Sequence, residues 1–353
     1  MNERERGGVT DDALIRTTLA GDDGAFGELV ERYKGRAFAV AVGILKAGGK
    51  VAGIVDLASP GDWLAKWPAL VARPNLAARG AAWRARLLRA RVPIFHQHAM
   101  EVVEEVPGGG LRAIVSRVDR HGLRKHDARR EFLVDAVAVG NGLTASIDIT
   151  RLLRVTHHYD ALRGGWVPTL DSEFRTSLGG LYVAGDGAGL AGADAAAADG
   201  TLTGLAVARD LGAMRETTYR AALQLLRPRA RRARNFGTAM AGLMALRPAM
   251  VRTIPPETII CRCEDVTRAE IDEAAREGAR TVNQLKAWTR CGMGPCQGRI
   301  CGDIVGALLA GDAGAREPVE YFTGRTPFRP LPLSLLAGNF EYTALKLPPP
   351  APL

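Results

Sequence analysis

Residues 258–301 read TIICRCEDVTRAEIDEAAREGARTVNQLKAWTRCGMGPCQGRIC and contain all five cysteines of the 353-residue chain. Cys261 and Cys263 form a CxC pair, and Cys291 and Cys296 form a CxxxxC pair after a spacer of 27 residues. Structural disulfides are typical of secreted proteins, and they would be spread more widely along a chain of this length. The clustering therefore predicts a metal site with four thiolate ligands.

Helix-capping signals surround these cysteines. The segments TRAE at 267–270 and TVNQ at 281–284 have the spacing of a capping box, so each predicts the start of a short helix. A third helix is predicted to start at Pro295 or Gln297 and to carry Cys301, which we interpret as a small core residue. The segment therefore indicates a small helical domain built around thiols.

The spacing of the cysteines indicates which residues are ligands more clearly than it indicates which metal they bind. Zinc sites usually separate paired cysteines by two to four residues, so a CxC pair is atypical of zinc. Four thiolates are the common ligand set of a [2Fe-2S] cluster. The spacing favours the cluster, and zinc or a set of uncoordinated redox thiols remain as alternatives.

The composition indicates a globular protein. The chain is 47% hydrophobic and 24% charged. Its longest apolar stretch, residues 37–45, is far shorter than the roughly 20 residues of a membrane-spanning helix. No signal segment is apparent at the start, so a cytoplasmic protein is expected. The net charge is +9, but the arginines are mostly dispersed and interleaved with acids, so nucleic acid is not an expected partner.

Upstream of the cysteines the pattern alternates between helices and strands. Residues 38–46 predict an apolar helix and residues 50–56 a buried parallel strand. Further helices are predicted near 81–90, from the glycines after 187 to about 211, and over 216–234. Further strands are predicted near 92–95, 100–104, 111–118, 131–139 and 181–184, with a hairpin turn at 107–110. The fold class is therefore α/β, a partial Rossmann-like domain followed by the small helical domain.

A nucleotide-type turn follows the last of these strands. Gly185-Asp186-Gly187 comes after apolar residues 181–184 and before a helix of small residues. An acid at the carboxyl edge of a sheet can accept a hydrogen bond from a sugar or ribityl hydroxyl, and a helix start can hold phosphate. The alternative interpretation is an aspartate that caps the next helix.

The quoted segment, together with RGGWVPTLDSEFRTSLGGLYVAGDGAGLAGADAAAADGTLTGLAVA at 163–208, resembles FAD-containing subunits of opine, hydroxyproline and proline dehydrogenases and of hydrogen cyanide synthase. These subunits end in a [2Fe-2S] domain similar to bacterioferritin-associated ferredoxin. The resemblance implies an oxidoreductase subunit that passes electrons through FAD and the cluster to an acceptor. It also implies that the partner is a smaller, flavin-containing dehydrogenase subunit. The implied cluster ligands are Cys261, Cys263, Cys291 and Cys296, and the implied FAD residues are Thr176, Gly185, Asp186 and Gly187, with Gly140 and Gly142 at the crossover between domains.

The beginning of the chain departs from that family. Residues 1–36 resemble region two of small RNA polymerase sigma factors, and the two glycine loops of the family's first FAD-binding half are missing. The sequence therefore predicts a fusion or truncation with weak FAD binding, and NAD(P) is not expected. The predicted divisions are 1–36, sigma-like; 37–215, oxidoreductase; 216–257, arginine-rich helix and linker; 258–311, cluster domain; and 312–353, proline-rich tail.

Two other functions remain open from the sequence. One is a non-catalytic electron-transfer or assembly protein that keeps the cluster and has lost flavin chemistry. The other is a sigma-like regulator that uses the cluster as a redox sensor. No residue pattern of a hydrolase is apparent, and catalytic residues are not assigned.

Overall fold

The computed structural model describes residues 37–140, 142–312, 320–327 and 329–337. The predicted sigma-like segment 1–36, the greater part of the tail and Asn141 lie outside the described residues. The chain divides into two compact units, and each is described by itself below. The first comprises Met1–Leu143, Ala191–Ala198 and Arg220–Ala249, and the second comprises Thr144–Leu190, Asp199–Tyr219 and Met250–Leu353.

The helices of the described residues are mostly short. Together with the strands they form the predicted α/β class. The helices are α1 (Ala37–Lys46), α2 (Pro60–Ala65), α3 (Trp67–Val71), α4 (Pro74–Arg89), α5 (Asp148–Leu152), α6 (Ala193–Asp210), α7 (Glu216–Met244), α8 (Pro248–Arg252), α9 (Arg268–Arg276), α10 (Val282–Thr289), α11 (Gly302–Asp312) and α12 (Leu333–Leu336).

The strands form small sheets. In the first unit, β1 (Ile54–Asp56) pairs with β2 (Ile94–His96) in parallel. The same unit has an antiparallel sheet of three strands, β3 (His98–Glu105), β4 (Leu111–Val118) and β5 (Arg124–Val134). In the second unit two antiparallel pairs form, β6 (His157–Asp160) with β7 (Gly165–Pro168) and β8 (Ile259–Cys261) with β9 (Val266–Thr267).

The predicted apolar helix and hairpin of the first unit are confirmed, and the parallel strand predicted over 50–56 forms at Ile54–Asp56 alone. Helix α1 packs on β1 and α4 through the buried side chains of Val42, Ile54 and Leu87. The turn at 107–110 joins β3 to β4, and Val106 accepts and donates backbone hydrogen bonds that close it. Burial of these aliphatic side chains is the main source of stability here, because each contributes about 1.5–3 kcal/mol.

Three predicted elements are wrong. Of the strand predicted at 131–139, residues 135–139 do not form a strand, because β5 runs over Arg124–Val134 and ends where Asp135 starts a bend. Residues 181–184 make a single bridge, Arg175 with Tyr182, instead of a strand. The third helix of the cysteine segment begins at Gly302, because residues 291–301 form consecutive turns. Apolar residues alone did not distinguish a paired strand from an extended segment that packs without a ladder.

A network of charges fixes the loop that carries Thr176. Arg209, near the end of α6, donates to Glu173 at 2.7 and 2.8 Å, and the Tyr219 hydroxyl donates to the same carboxylate at 2.5 Å. Arg175 pairs with Asp210 at 2.6 Å and also with Glu173. These bonds hold the short hairpin of residues 174–183 against the end of α6 in the second unit.

Replacing Glu173 with glutamine is expected to lower the free energy of unfolding by about 2 kcal/mol at pH 7, since charge-assisted hydrogen bonds are lost. The bonds from Arg209, with others from Tyr219 and Arg175, lower the pKa of Glu173 from 4.5 to about 2. The carboxylate therefore stabilises the fold fully above pH 4.5, and its contribution is lost as the pH falls toward 2.

Urea unfolding of both proteins between pH 7 and pH 3 measures this difference. Glu257→Gln is the matched control, because Glu257 is exposed. A difference between wild type and Glu173→Gln that stays constant over this pH range would contradict the assignment.

Candidate functional site

Local structure brings the cysteines of the second unit together. Cys261 ends β8, and Thr267 then caps α9 with the predicted capping box. Thr281 caps α10 in the same way, and Arg290, in the left-handed conformation, ends that helix directly before Cys291. Both capping predictions are confirmed. The two helices pack on each other, so the ends of the 27-residue spacer meet at one place.

Three of the five sulfurs form one buried group. The Sγ atoms of Cys261, Cys291 and Cys301 lie within 4.8 Å of one another, and those of Cys291 and Cys301 are 3.9 Å apart. Each of these residues is at most 1% exposed. Cys263 and Cys296 are half-buried and share a side-chain hydrogen bond. All four predicted ligands therefore lie in the same small domain, together with a fifth thiol.

Cys301 is the cysteine that the sequence leaves out of the predicted ligand set. Its prediction as a core residue agrees with its burial, but its sulfur also lies with those of Cys261 and Cys291. The sequence held a signal for this, since Cys301 follows Cys296 at the same five-residue separation with which Cys296 follows Cys291. The structure therefore places a fifth thiol, that of Cys301, beside the predicted ligands Cys261 and Cys291.

Backbone N–H groups point at the sulfurs. Gly292 donates to the Sγ atom of Cys261 at 3.4 Å. Burial opposes ionisation of Cys296, but the N–H groups of Ile300, Gly298 and Arg299 outweigh it, so the pKa of this thiol is lowered. Donors of this kind stabilise thiolate charge and the reduced state of an iron–sulfur cluster.

Two glycines allow the cysteine loop, residues 291–301, to pack closely against Cys263 and Phe322. A Cβ atom at Gly294 would lie 2.2 Å from the Cβ atom of Cys263. Gly298 has φ +79°, and a Cβ atom there would lie 2.3 Å from the ring of Phe322. Only glycine fits both places without displacing its neighbours. The donor set, the N–H groups and this close-packed loop together fit a [2Fe-2S] cluster.

The predicted flavin residues of the second unit lie on adjoining turns. The Thr176 hydroxyl closes a turn by bonding the N–H and the carbonyl of Leu178, each at 3.1 Å. Gly185, with φ +67°, starts a single 3₁₀ turn over Gly185–Ala188 in which Asp186 is exposed. Gly187 packs against the carbonyl of Ser146, where a Cβ atom would lie 3.3 Å away. The exposed Asp186 carboxylate can therefore meet a hydroxyl of a ligand.

A further glycine pattern starts at the predicted residue Gly187 and continues beyond this turn. Residues 187–192 read GAGLAG, which has the form GxGxxG, and α6 begins directly after them. The pattern alone is a weak signal, because its usual context includes a paired strand before the loop, and residues 181–184 are not one.

Gly140 and Gly142 belong to the first unit. Both are exposed and lie outside helices and strands, and Gly142 has φ +101°. Their predicted role at the crossover to the flavin domain stays a prediction.

Residues 259–311 match the family model described as the BFD-like [2Fe-2S] binding domain. This segment is similar to that family along its whole length. With this match, the predicted cluster domain is confirmed. No helix in the described part of the chain is long and apolar enough to cross a membrane.

The wider chain is similar to oxidoreductase subunits. It is 34% identical to an opine oxidase subunit of Rhizobium meliloti over 238 residues, which are 67% of this chain and 45% of that protein. It is 28% identical to hydrogen cyanide synthase subunit HcnB of Pseudomonas aeruginosa over 299 residues, 84% of this chain and 63% of that protein. The chain thus spans about half to two thirds of the length of these relatives. The predicted resemblance to this group of oxidoreductase subunits is confirmed.

A solved structure shares the fold. The structure of L-proline dehydrogenase from P. horikoshii superposes with a TM-score of 0.55 and 19% sequence identity. The match covers 85% of this chain and 53% of the dehydrogenase chain. The likeness supports the α/β dehydrogenase fold that the sequence predicts.

Proposed function

We propose that this chain is the iron–sulfur subunit of an FAD-dependent dehydrogenase that oxidises amines or imino acids of the opine or proline type. The main evidence is the group of three buried cysteine sulfurs within a BFD-like domain. The chain that contains it is similar to an opine oxidase subunit over 238 residues. The relatives are named as subunits, which supports a heteromer with a smaller flavin-containing partner. Reduced thiols support the cytoplasm as its location.

Within this proposal, Cys261, Cys263, Cys291 and Cys296 hold the cluster, and the buried Cys301 packs beside them. When bound, flavin accepts a hydride and the cluster moves single electrons, so the pair converts two-electron oxidation into one-electron steps. The residues of the chain bind and tune these groups. The N–H groups at Cys296 place hydrogen-bond donors near the ligands, which favours uptake of an electron.

The proposed domains keep the boundaries that the sequence predicts. Residues 37–215 contain the oxidoreductase domain with Thr176 and Asp186 at the flavin, residues 216–257 the helix and linker, and residues 258–311 the cluster domain. Part of the linker is helical, because α7 runs over Glu216–Met244, ten residues beyond the predicted end at 234.

FAD binding by this chain alone is expected to be weak, with less than one FAD per chain after gel filtration. Asp186 lies on an isolated, exposed turn with no paired strand before it, so the phosphates meet few preorganised N–H groups. Asp186→Ala is expected to weaken the remaining binding about tenfold, as for loss of one hydrogen bond to a charged group.

Fluorescence titration with FAD measures this, and Asp135→Ala is the control, because Asp135 is exposed and lies in the first unit. A full equivalent of tightly held FAD would contradict weak binding. Complete absence of binding, even when the flavin-containing partner is present, would favour the non-catalytic electron-transfer function instead.

A further inference from the structure

A cavity of about 180 Å³ adjoins the cysteine loop in the second unit. The side chains of Arg151, Trp166 and Tyr321 line it, with Gly298 and Arg299 contributed by the cysteine loop and Asp303 by the start of α11. None of these residues belongs to the site predicted from the sequence. The cavity is therefore distinct from the thiol group and from the turns at Thr176 and Asp186.

Arg151 is a buried cation without a partner for its Nε atom. The residue is 9% exposed, and Nε is the buried side-chain atom without a hydrogen bond among the described residues. Its guanidinium carbon lies 5.6 Å from the centre of the Tyr321 ring. Burial lowers the pKa of Arg151, although Asp148 acts in the opposite direction. An unpaired buried charge is costly, so an anion that meets it would be held firmly.

The nearby carboxylates do not fill this role. Asp148 accepts a hydrogen bond from Arg299 at 2.8 Å, so that pair satisfies itself. Asp303 forms no ion pair within 4.0 Å of Arg151 among the described residues. Its Oδ2 atom lies against Gly165, where a Cβ atom would be 2.7 Å away. A cation and an acid thus both line the cavity without pairing with each other.

We propose that this cavity binds a small amino or imino acid as a zwitterion, with its carboxylate on Arg151, its ammonium group on Asp303, and its carbon skeleton against Trp166 and Tyr321. A volume of about 180 Å³ suits a ligand of the size of proline or smaller. The lining carries three arginines and two aspartates, so it favours an overall neutral ligand or a monoanion over a phosphate dianion beside two carboxylates. The site stands on these contacts alone, independently of electron transfer.

Isothermal titration calorimetry of the full chain tests the site without any activity. The probes are L-proline, glycine, cyclopentanecarboxylate, pyrrolidine and inorganic phosphate. We expect one site for proline, binding at least tenfold weaker for the acid and for the amine that lack the other charge, and no binding of phosphate. Equal binding of cyclopentanecarboxylate, or a preference for phosphate, would overturn the zwitterion. Failure of both proline and glycine to bind at millimolar concentration would overturn the site.

Variants separate binding from folding. Arg151→Met and Asp303→Asn are each expected to weaken proline binding at least tenfold, and Arg151→Lys, which keeps the charge but loses the planar fork, to weaken it less. Arg154→Met is the control, because Arg154 is exposed two residues after the end of α5. Thermal melting and cluster absorbance report the folding of every variant. If Arg151→Met does not fold, Asp303→Asn and Arg151→Lys decide. Proline binding unchanged in the folded variants would overturn the assignment.

Discussion

Cys261→Ser, prepared without oxygen, is expected to lose the iron, the acid-labile sulfide and the visible absorbance that the wild-type chain carries. Cys261 is 1% exposed, lies within 4.8 Å of two other sulfurs and accepts the N–H group of Gly292. A hard hydroxyl in place of this thiolate binds iron poorly, so the cluster is not retained. Cys263→Ser and Cys296→Ser are expected to behave in the same way.

Variants of Cys291 and Cys301 test which of these two cysteines is a cluster ligand. The sequence assigns the fourth position to Cys291, whereas the structure places Cys301 3.9 Å from it. We expect Cys291→Ser to lose the cluster, because Cys291 is the predicted ligand, and Cys301→Ser to keep it. Each variant is the control for the other, because both residues are buried at 1% exposure or less. Retention of the cluster in Cys291→Ser, or its loss from Cys301→Ser, would contradict this assignment.

Dehydrogenase activity is expected to require the flavin-containing partner. This chain alone should give only background reduction of an artificial acceptor with proline, hydroxyproline, opines or glycine, and addition of the candidate partner should restore turnover. Hydride transfer needs the substrate carbon about 3–3.5 Å from the flavin and a group that keeps the amine neutral. Asp186 lies on an exposed turn, so this chain alone does not enclose such a site there.

The control for this reconstitution is Cys261→Ser with the same partner. If the cluster relays electrons, this variant should bind the partner and pass electrons to the artificial acceptor at a strongly reduced rate. Turnover by the pure single chain would contradict the requirement for a partner. Equal turnover with Cys261→Ser would contradict the relay.

The sequence predicts the small cysteine domain well because its signals are local. Capping boxes at Thr267 and Thr281 depend on residues three positions apart, so both helices start where the sequence places them. The long third helix did not start at Pro295, because Gly298 takes φ +79° and the chain must turn around Phe322 first. That requirement arises from a residue 24 positions away, which no local pattern reveals.

The cavity beside the cysteine loop shows the same limit. Arg151, Asp303 and Tyr321 are separated by up to 170 residues, and none stands in a recognisable motif. One of many dispersed arginines becomes exceptional only when the fold buries it without a partner for Nε. Similarly, five cysteines in one segment predict a metal site, but only their placement shows that the sulfur of Cys301 lies with those of Cys261 and Cys291.

Metal analysis with electron paramagnetic resonance tests the [2Fe-2S] centre most directly. We predict about two iron atoms and two sulfides per chain after anaerobic purification, since one [2Fe-2S] cluster fills four thiolates. One-electron reduction with dithionite should then produce the signal of a single unpaired electron, absent from the oxidised protein and from Cys261→Ser. One zinc per chain, without iron and without this signal, would contradict the iron–sulfur centre.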